Sequence, residues 1–216
     1  MRMPEAGETV LGFTVVKKIG YGKASVSYLV SKDDEKAVLK VMHGKPYDNG
    51  HVFTVEDELK AYDRLCAIGV DVPKMIAFDK EEGILLKVYV EGPTASELIA
   101  RGDIRDDLYP ELFESFLKIE SLGSTIDYFP ANFVLSQDRF IYIDYEINPL
   151  EEAWNFSNWG IFFWFAKEGF ARYVSHDHDH SLLVDSKRPG HPLKELTAPR
   201  AEAYLMNHPL KGRVSR

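Results

Sequence analysis

Apolar and polar residues alternate over residues 12–29, and turn residues break the pattern. Phe13-Thr14-Val15-Val16 and Val26-Ser27-Tyr28-Leu29-Val30 read as the arms of a hairpin around Gly20-Tyr21-Gly22. A third strand over residues 36–41 follows the Asp33-Asp34 turn. The period then changes. Val55, Leu59, Tyr62 and Leu65 recur at helical spacing, which predicts an amphipathic helix over residues 52–67, stopped by Gly69 and Pro73. Two more strands follow, over residues 75–78 and 84–89, and the Glu91-Gly92-Pro93 corner marks a boundary.

Beyond that corner the pattern becomes helical. Thr94 with Glu97 three residues on is a capping box, predicting a short helix over residues 94–100. Leu112, Phe116 and Ile119 share one face of a longer helix over residues 108–122. A tight strand pair spans residues 134–144, and an apolar helix is expected over residues 156–173. From Ser175 the chain is polar and punctuated by Pro189, Pro192, Pro199 and Pro209, so short helices and mobile segments are expected there. No repeat or low-complexity segment interrupts this order. The fold class expected is therefore α+β and bilobal. An N-terminal lobe, residues 1–90, holds a five-stranded antiparallel sheet with one helix; a mostly helical, truncated C-terminal lobe covers residues 91–216. A ligand is expected in the cleft between them.

Composition narrows the function. With 216 residues, 45% of them hydrophobic, the chain can build one domain or two small lobes. A formal net charge of −8 argues against direct nucleic-acid binding, which needs a cationic face. No apolar run is long enough for a bilayer. Met1-Arg2-Met3-Pro4-Glu5 lacks the apolar stretch of a signal peptide. The single cysteine, Cys66, fits a reducing cytoplasm and reads as a small buried hydrophobe.

The candidate chemistry lies in four places. Backbone N–H groups near Gly20 and Gly22 can close over a polyphosphate, because no side chain intervenes. Lys40 ends the apolar run Ala37-Val38-Leu39 and needs a partner; Glu58, beside the apolar stripe of the following helix, is preferred over Glu56. Asp127 precedes the strand pair and can accept or orient the proton of an attacking hydroxyl. Asn132 and Asp144 offer hard oxygen ligands suited to Mg²⁺.

Together these residues resemble the protein-kinase-like superfamily over residues 12–165, as an atypical member. KIGYGKASVSYLV, residues 18–30, looks most like the nucleotide loop of RIO-type kinases, and Ala37-Val38-Leu39-Lys40 is similar to the V-A-I-K strand. Asp127 and Asn132 match the aspartate and asparagine of the catalytic loop, with Thr125 where histidine is usual. Asp144-Tyr145-Glu146 replaces D-F-G and looks like the motif of aminoglycoside phosphotransferases and choline kinase. Asn155 opens a segment similar to D-x-W-S-x-G only eleven residues after Asp144, which leaves no room for an ordinary activation segment.

The resemblance implies an ATP- and Mg²⁺-dependent kinase, with Mn²⁺ as an alternative metal. Lys40, Glu58 and Asp127 would be catalytic, and Asn132 and Asp144 would hold the metal. Ile19, Gly20, Gly22, Lys23, Ser25, Val38, Lys40 and the hinge Val88-Tyr89-Val90 would meet the nucleotide, with a floor residue within 133–135. The acceptor is a hydroxyl, with a protein slightly favoured over a small molecule. The alternatives are a small-molecule kinase and a nucleotide-binding pseudokinase module. His176, His178 and His180 read as part of a solvated loop rather than a metal site. Trp154, Trp159, Phe162, Phe163 and Trp164 read as core.

Overall fold

A computed structural model describes residues 2–46, 50–183 and 193–207. They fall into two compact units, one of Met1–Ala67 with Val72–Val90, the other of Ile68–Asp71 with Glu91–Arg216.

The first unit contains β1 (Thr9–Val10), β2 (Phe13–Tyr21), β3 (Ser25–Lys32), β4 (Glu35–Met42), α1 (Val55–Ile68), β5 (Met75–Asp79) and β6 (Ile84–Val88). The strands form one sheet in the order β1-β2-β3-β4-β6-β5, with every neighbouring pair antiparallel. The sheet thus has six strands rather than the expected five. The extra one is a two-residue edge, folded back on Phe13 and Thr14 by a turn in which Leu11 and Gly12 take φ of 50° and 80°. Two residues are too few to show alternation.

One face of the sheet buries Val26, Tyr28, Val30, Ala37, Leu39, Val41, Ile84 and Leu86. By the period-two rule, Val38, Lys40, Leu85 and Lys87 lie on the other face. There Glu58 of α1 meets Lys40. The buried stripe of α1 is Val55, Glu58, Ala61 and Leu65, so it is rotated from the Leu59–Tyr62 line expected from hydrophobicity. A carboxylate with a lysine to meet takes a position that periodicity alone awards to leucine. The rotation leaves Cys66 exposed, contrary to the buried cysteine expected.

The second unit contains α2 (Ala95–Arg101), α3 (Tyr109–Ser121), β7 (Ser124–Thr125), β8 (Phe133–Ser136), β9 (Arg139–Tyr142), β10 (Asn148–Pro149), α4 (Ile161–Trp164), α5 (Lys167–Ser175) and α6 (Lys194–Asn207). Both halves of the Thr94–Glu97 capping box form on α2, and Gly102 closes it in the left-handed conformation. Gly92 has φ of 142°, and a Cβ there would lie 2.0 Å from the carbonyl oxygen of Leu135, so only glycine fits this corner.

The expected helix over 156–173 is broken. A π-helical turn, Phe156–Gly160, runs into the four residues of α4, and the chain bends at Phe165 and Ala166 before α5. The break is held by tertiary contacts. The Trp164 indole donates to the Tyr128 carbonyl at 3.1 Å, and Gly160 passes so close to Tyr128 that a Cβ would lie 2.7 Å from its side chain. Phe113, Phe116, Phe133, Phe156 and Trp164 form the aromatic centre, with ring centroids 4.7 to 6.1 Å apart between neighbours.

The C-terminal stretch holds more order than its prolines suggest. α6 is a 14-residue helix with Pro199 inside it, and Tyr204 packs on Tyr109, Phe113 and Phe165. Pro189, Pro192 and Pro209, and the mobile segments expected around them, lie outside the described residues. Among the described residues, no helix is long and apolar enough to cross a membrane.

Candidate functional site

The β2–β3 hairpin is longer than expected. Gly20 is paired with Ser27 inside the sheet, and the turn proper is 22–25, closed by Gly22 N–H donating to the Ser25 carbonyl at 2.8 Å. Register shifts along β2 carry the strand on to Tyr21, which is why the tip moves past Gly20. Neither glycine is required by the chain itself. Neither has positive φ, and added Cβ atoms would sit at ordinary distances, 3.8 Å from Ser27 Cβ and 3.5 Å from Ser25 O. Contrary to the expectation of free N–H groups at both glycines, Gly20 lies within the strand pairing and the Gly22 N–H is already donated to Ser25, so what the missing side chains leave is room beside the tip.

Two lysines and a histidine stand around Tyr21 at that tip. Lys45 Nζ donates to the Tyr21 hydroxyl at 2.9 Å, and Lys18 Nζ lies 6.0 Å from the same ring. His43 stacks on Tyr21 at 5.7 Å, with Nε2 3.3 Å from the Gly22 carbonyl. Lys23 is exposed, Ser25 is buried and Ile19 is 43% exposed. This charge has the sign a polyphosphate requires.

Lys40 stands between Ser27 of β3 and Leu85 of β6, and its ammonium donates to Glu58 Oε1. The pair is enclosed, with Lys40 8% and Glu58 2% exposed. Glu56 instead reaches Lys60 at 3.8 Å on the surface. Val38 is half-buried. In the expected hinge, the N–H groups of Val88 and Tyr89 donate to the carbonyls of Lys74 and Lys36 at 2.9 and 3.3 Å. Both of these N–H groups are therefore engaged within the first unit.

In the second unit, Asp127 is exposed between buried Ile126 and Tyr128. Its Oδ1 accepts Phe129 N–H at 3.0 Å. Asn132 ends the 3₁₀ turn Pro130–Asn132, and its carbonyl accepts Ile143 N–H at 2.8 Å, which pins it beside the strand end carrying Asp144. Asp144 is half-buried, and its Oδ1 accepts Tyr145 N–H at 2.9 Å. Phe133 and Val134 are buried and Leu135 is half-buried.

One residue that sequence reasoning passed over links these loops. The Tyr142 hydroxyl accepts Asp127 N–H at 3.4 Å and donates to the Glu146 carbonyl at 3.2 Å. Burial first, then the carboxylates of Asp144, Glu146 and Asp127, push this phenol well above its ordinary range, so it stays a neutral donor. The only sequence signal was a hydroxyl inside the apolar run Ile141-Tyr142-Ile143.

Glu120 was missed too. It accepts from the Tyr128 hydroxyl at 2.9 Å and from Phe156 N–H, tying the loop that carries Asp127 to the π-helical turn. Burial raises its carboxyl above the usual range, more than its two donors lower it. A carboxyl raised on folding stabilises the fold below its unfolded value, about 4.3, and that contribution is lost as pH rises through the folded value. Glu120→Gln keeps an acceptor oxygen and cannot ionise. Its melting temperature should therefore lose the part of the wild-type decline that lies above about pH 4.3, read from parallel melts across pH 4 to 8.

The segment carrying His176, His178 and His180 is exposed, as expected of a solvated loop. It has aromatic support that its polarity concealed: the rings of His178 and His180 pack on Tyr173 at 5.1 and 5.3 Å, and His180 lies 4.8 Å from Phe129. Among the described residues, no group of three or more His, Cys, Asp or Glu side chains is arranged to hold a metal. Trp154, expected in the core, is 51% exposed and meets Trp159 edge-on at 4.5 Å, because it precedes the helical segment in a separate 3₁₀ turn.

No protein-family profile matches the chain, and no curated protein matches it. Solved structures do. A structure of the Mycobacterium tuberculosis PknI kinase domain matches over 92% of this chain and 86% of its own length, with a TM-score of 0.50 and 18% identity. Another structure of that kinase domain matches over 66% of this chain, which spans 63% of that domain's length, with a TM-score of 0.43 and 19% identity. The fold is protein-kinase-like, an antiparallel sheet unit with one helix followed by a mostly helical unit.

Proposed function

We propose that this chain is a Mg²⁺-dependent phosphotransferase that moves the γ-phosphoryl group of a nucleoside triphosphate, ATP by the family resemblance, onto a hydroxyl. The observation that carries the reading is the enclosed Lys40–Glu58 ion pair on the sheet face next to the glycine turn. Burying two charges is costly unless they serve one another or a ligand. A lysine held this way offers a fixed ammonium to phosphate oxygens.

The second unit supplies the remaining roles. Asn132 and Asp144 are hard oxygen donors next to one another in the backbone hydrogen-bond pattern, a set that fits Mg²⁺. Bound there, the metal would neutralise charge developing on the phosphates. Asp127 is exposed and held by its own turn, so its carboxylate can orient an acceptor hydroxyl and take its proton. Catalysis of this kind is mostly positioning and electrostatics.

A protein hydroxyl is the favoured acceptor, in the manner of RIO-like kinases, because residues 18–30 resemble their nucleotide loop. Asp144-Tyr145-Glu146 favours the other reading, a small-molecule kinase. Incubating the protein and Mg²⁺ with γ-labelled ATP and a cell extract, then separating large from small molecules, decides between them. Label is expected in the macromolecular fraction. Label confined to metabolites would establish the small-molecule kinase. No transfer to either, with nucleotide still bound, would establish a pseudokinase module.

A further inference from the structure

Three charged side chains are buried among the described residues, namely Lys40, Glu58 and Lys87, and all three belong to the first unit. Lys40 and Glu58 serve one another; Lys87 has interactions of its own, but none of the roles assigned above falls to it. It is 4% exposed, in the middle of a sheet, at a position where lysine is seldom found.

Register fixes where Lys87 stands. Val38 pairs with Lys87, Lys40 with Leu85, and Ser27 with Lys40. Directly paired residues of antiparallel strands share a face, so Lys87 stands beside Val38 and diagonally, roughly 7–8 Å, from Lys40. The core cluster takes Leu39 and Leu86, which excludes Lys87 from the opposite side. Along this face, the glycine turn comes first, then Lys40, then Val38 with Lys87, near the end of β6. A triphosphate gripped at the turn and at Lys40 runs its nucleoside toward Lys87. Lys87 is therefore on the base side of the nucleotide rather than the phosphate side.

An ammonium donates hydrogen bonds and accepts none. At the 6-position of a purine, guanine and hypoxanthine present a carbonyl oxygen, whereas adenine presents an amino group that is itself a donor. A buried ammonium facing that edge is matched by the first and opposed by the second. We propose that Lys87 is a specificity-determining residue that selects a 6-oxopurine nucleotide, GTP, over ATP. This rests on the phosphotransferase reading of the same site and revises the ATP that the resemblance implies.

The test is Mg²⁺-dependent binding of ATP, GTP and ITP to the full-length protein by calorimetry. ITP carries the 6-carbonyl without guanine's amino group, so it isolates the contact. The wild type should bind GTP and ITP alike and ATP more weakly, by about 10- to 100-fold, the range of one hydrogen bond to a charged group. Lys87→Met should remove most of that difference. Lys87→Gln, whose amide can donate or accept, should bring the ratio close to one and serves if the methionine variant fails to fold. ATP binding as well as or better than ITP in the wild type would overturn the assignment while leaving the phosphotransferase intact. An equal loss for all three nucleotides in Lys87→Met or Lys87→Gln would overturn it too, by making Lys87 a phosphate contact. Failure of every nucleotide to bind would remove both readings together.

Discussion

Replacing Asp127 with asparagine should reduce phosphoryl transfer by about 10²- to 10⁴-fold, the contribution of a well-placed general base, with nucleotide affinity nearly unchanged. Asparagine is nearly the same size and keeps a side-chain oxygen to accept Phe129 N–H, so the turn at 127–129 survives. The residue is exposed, so the substitution opens no cavity. What disappears is the carboxylate proposed above to take the acceptor's proton. Single-turnover kinetics with saturating nucleotide, beside an equilibrium titration, separates the two effects. A variant that transfers phosphate at the wild-type rate would remove Asp127 from the chemistry.

The second large effect is at Lys40 and Glu58. Lys40→Met should cost about 3–5 kcal/mol of folding stability, because it leaves the Glu58 carboxylate buried without its ammonium. Lys40→Met combined with Glu58→Leu should recover most of that loss, since a buried ion pair can be exchanged for apolar residues at little net cost. Urea denaturation of the four proteins in the cycle measures the coupling. Nucleotide affinity should fall in both Lys40 variants and stay low in the double one. Stability would then follow the pair, and binding would follow the lysine alone. A double variant that binds nucleotide like the wild type would mean that Lys40 is structural.

The order from β2 through α3 was legible from period together with turn and capping residues, because each of those elements keeps its own face apolar. Where the reading failed, tertiary contacts had overruled local pattern. Hydrophobicity favoured Leu59 for the buried line of α1, and Glu58 holds that place because Lys40 is buried opposite it. The helix over 156–173 has unbroken apolar character, and nothing local announces that Trp164 turns its indole to the Tyr128 carbonyl and that the chain bends after it. The candidate site was legible where charge stood against an apolar run, as at Lys40 and Asp144. Tyr142 and Glu120 were invisible for the opposite reason. A tyrosine in a strand and a glutamate in an amphipathic helix are ordinary residues until the fold supplies backbone partners for them.

The seat of Tyr204 against Tyr109, Phe113 and Phe165 has a practical side. A shortened version ending near Ser175 would keep every residue assigned to chemistry, yet Tyr109, Phe113 and Phe165 would lose the ring that covers them. Such a fragment would be recovered as aggregate and mistaken for an inactive enzyme. Any useful trimming has to retain the chain through Asn207.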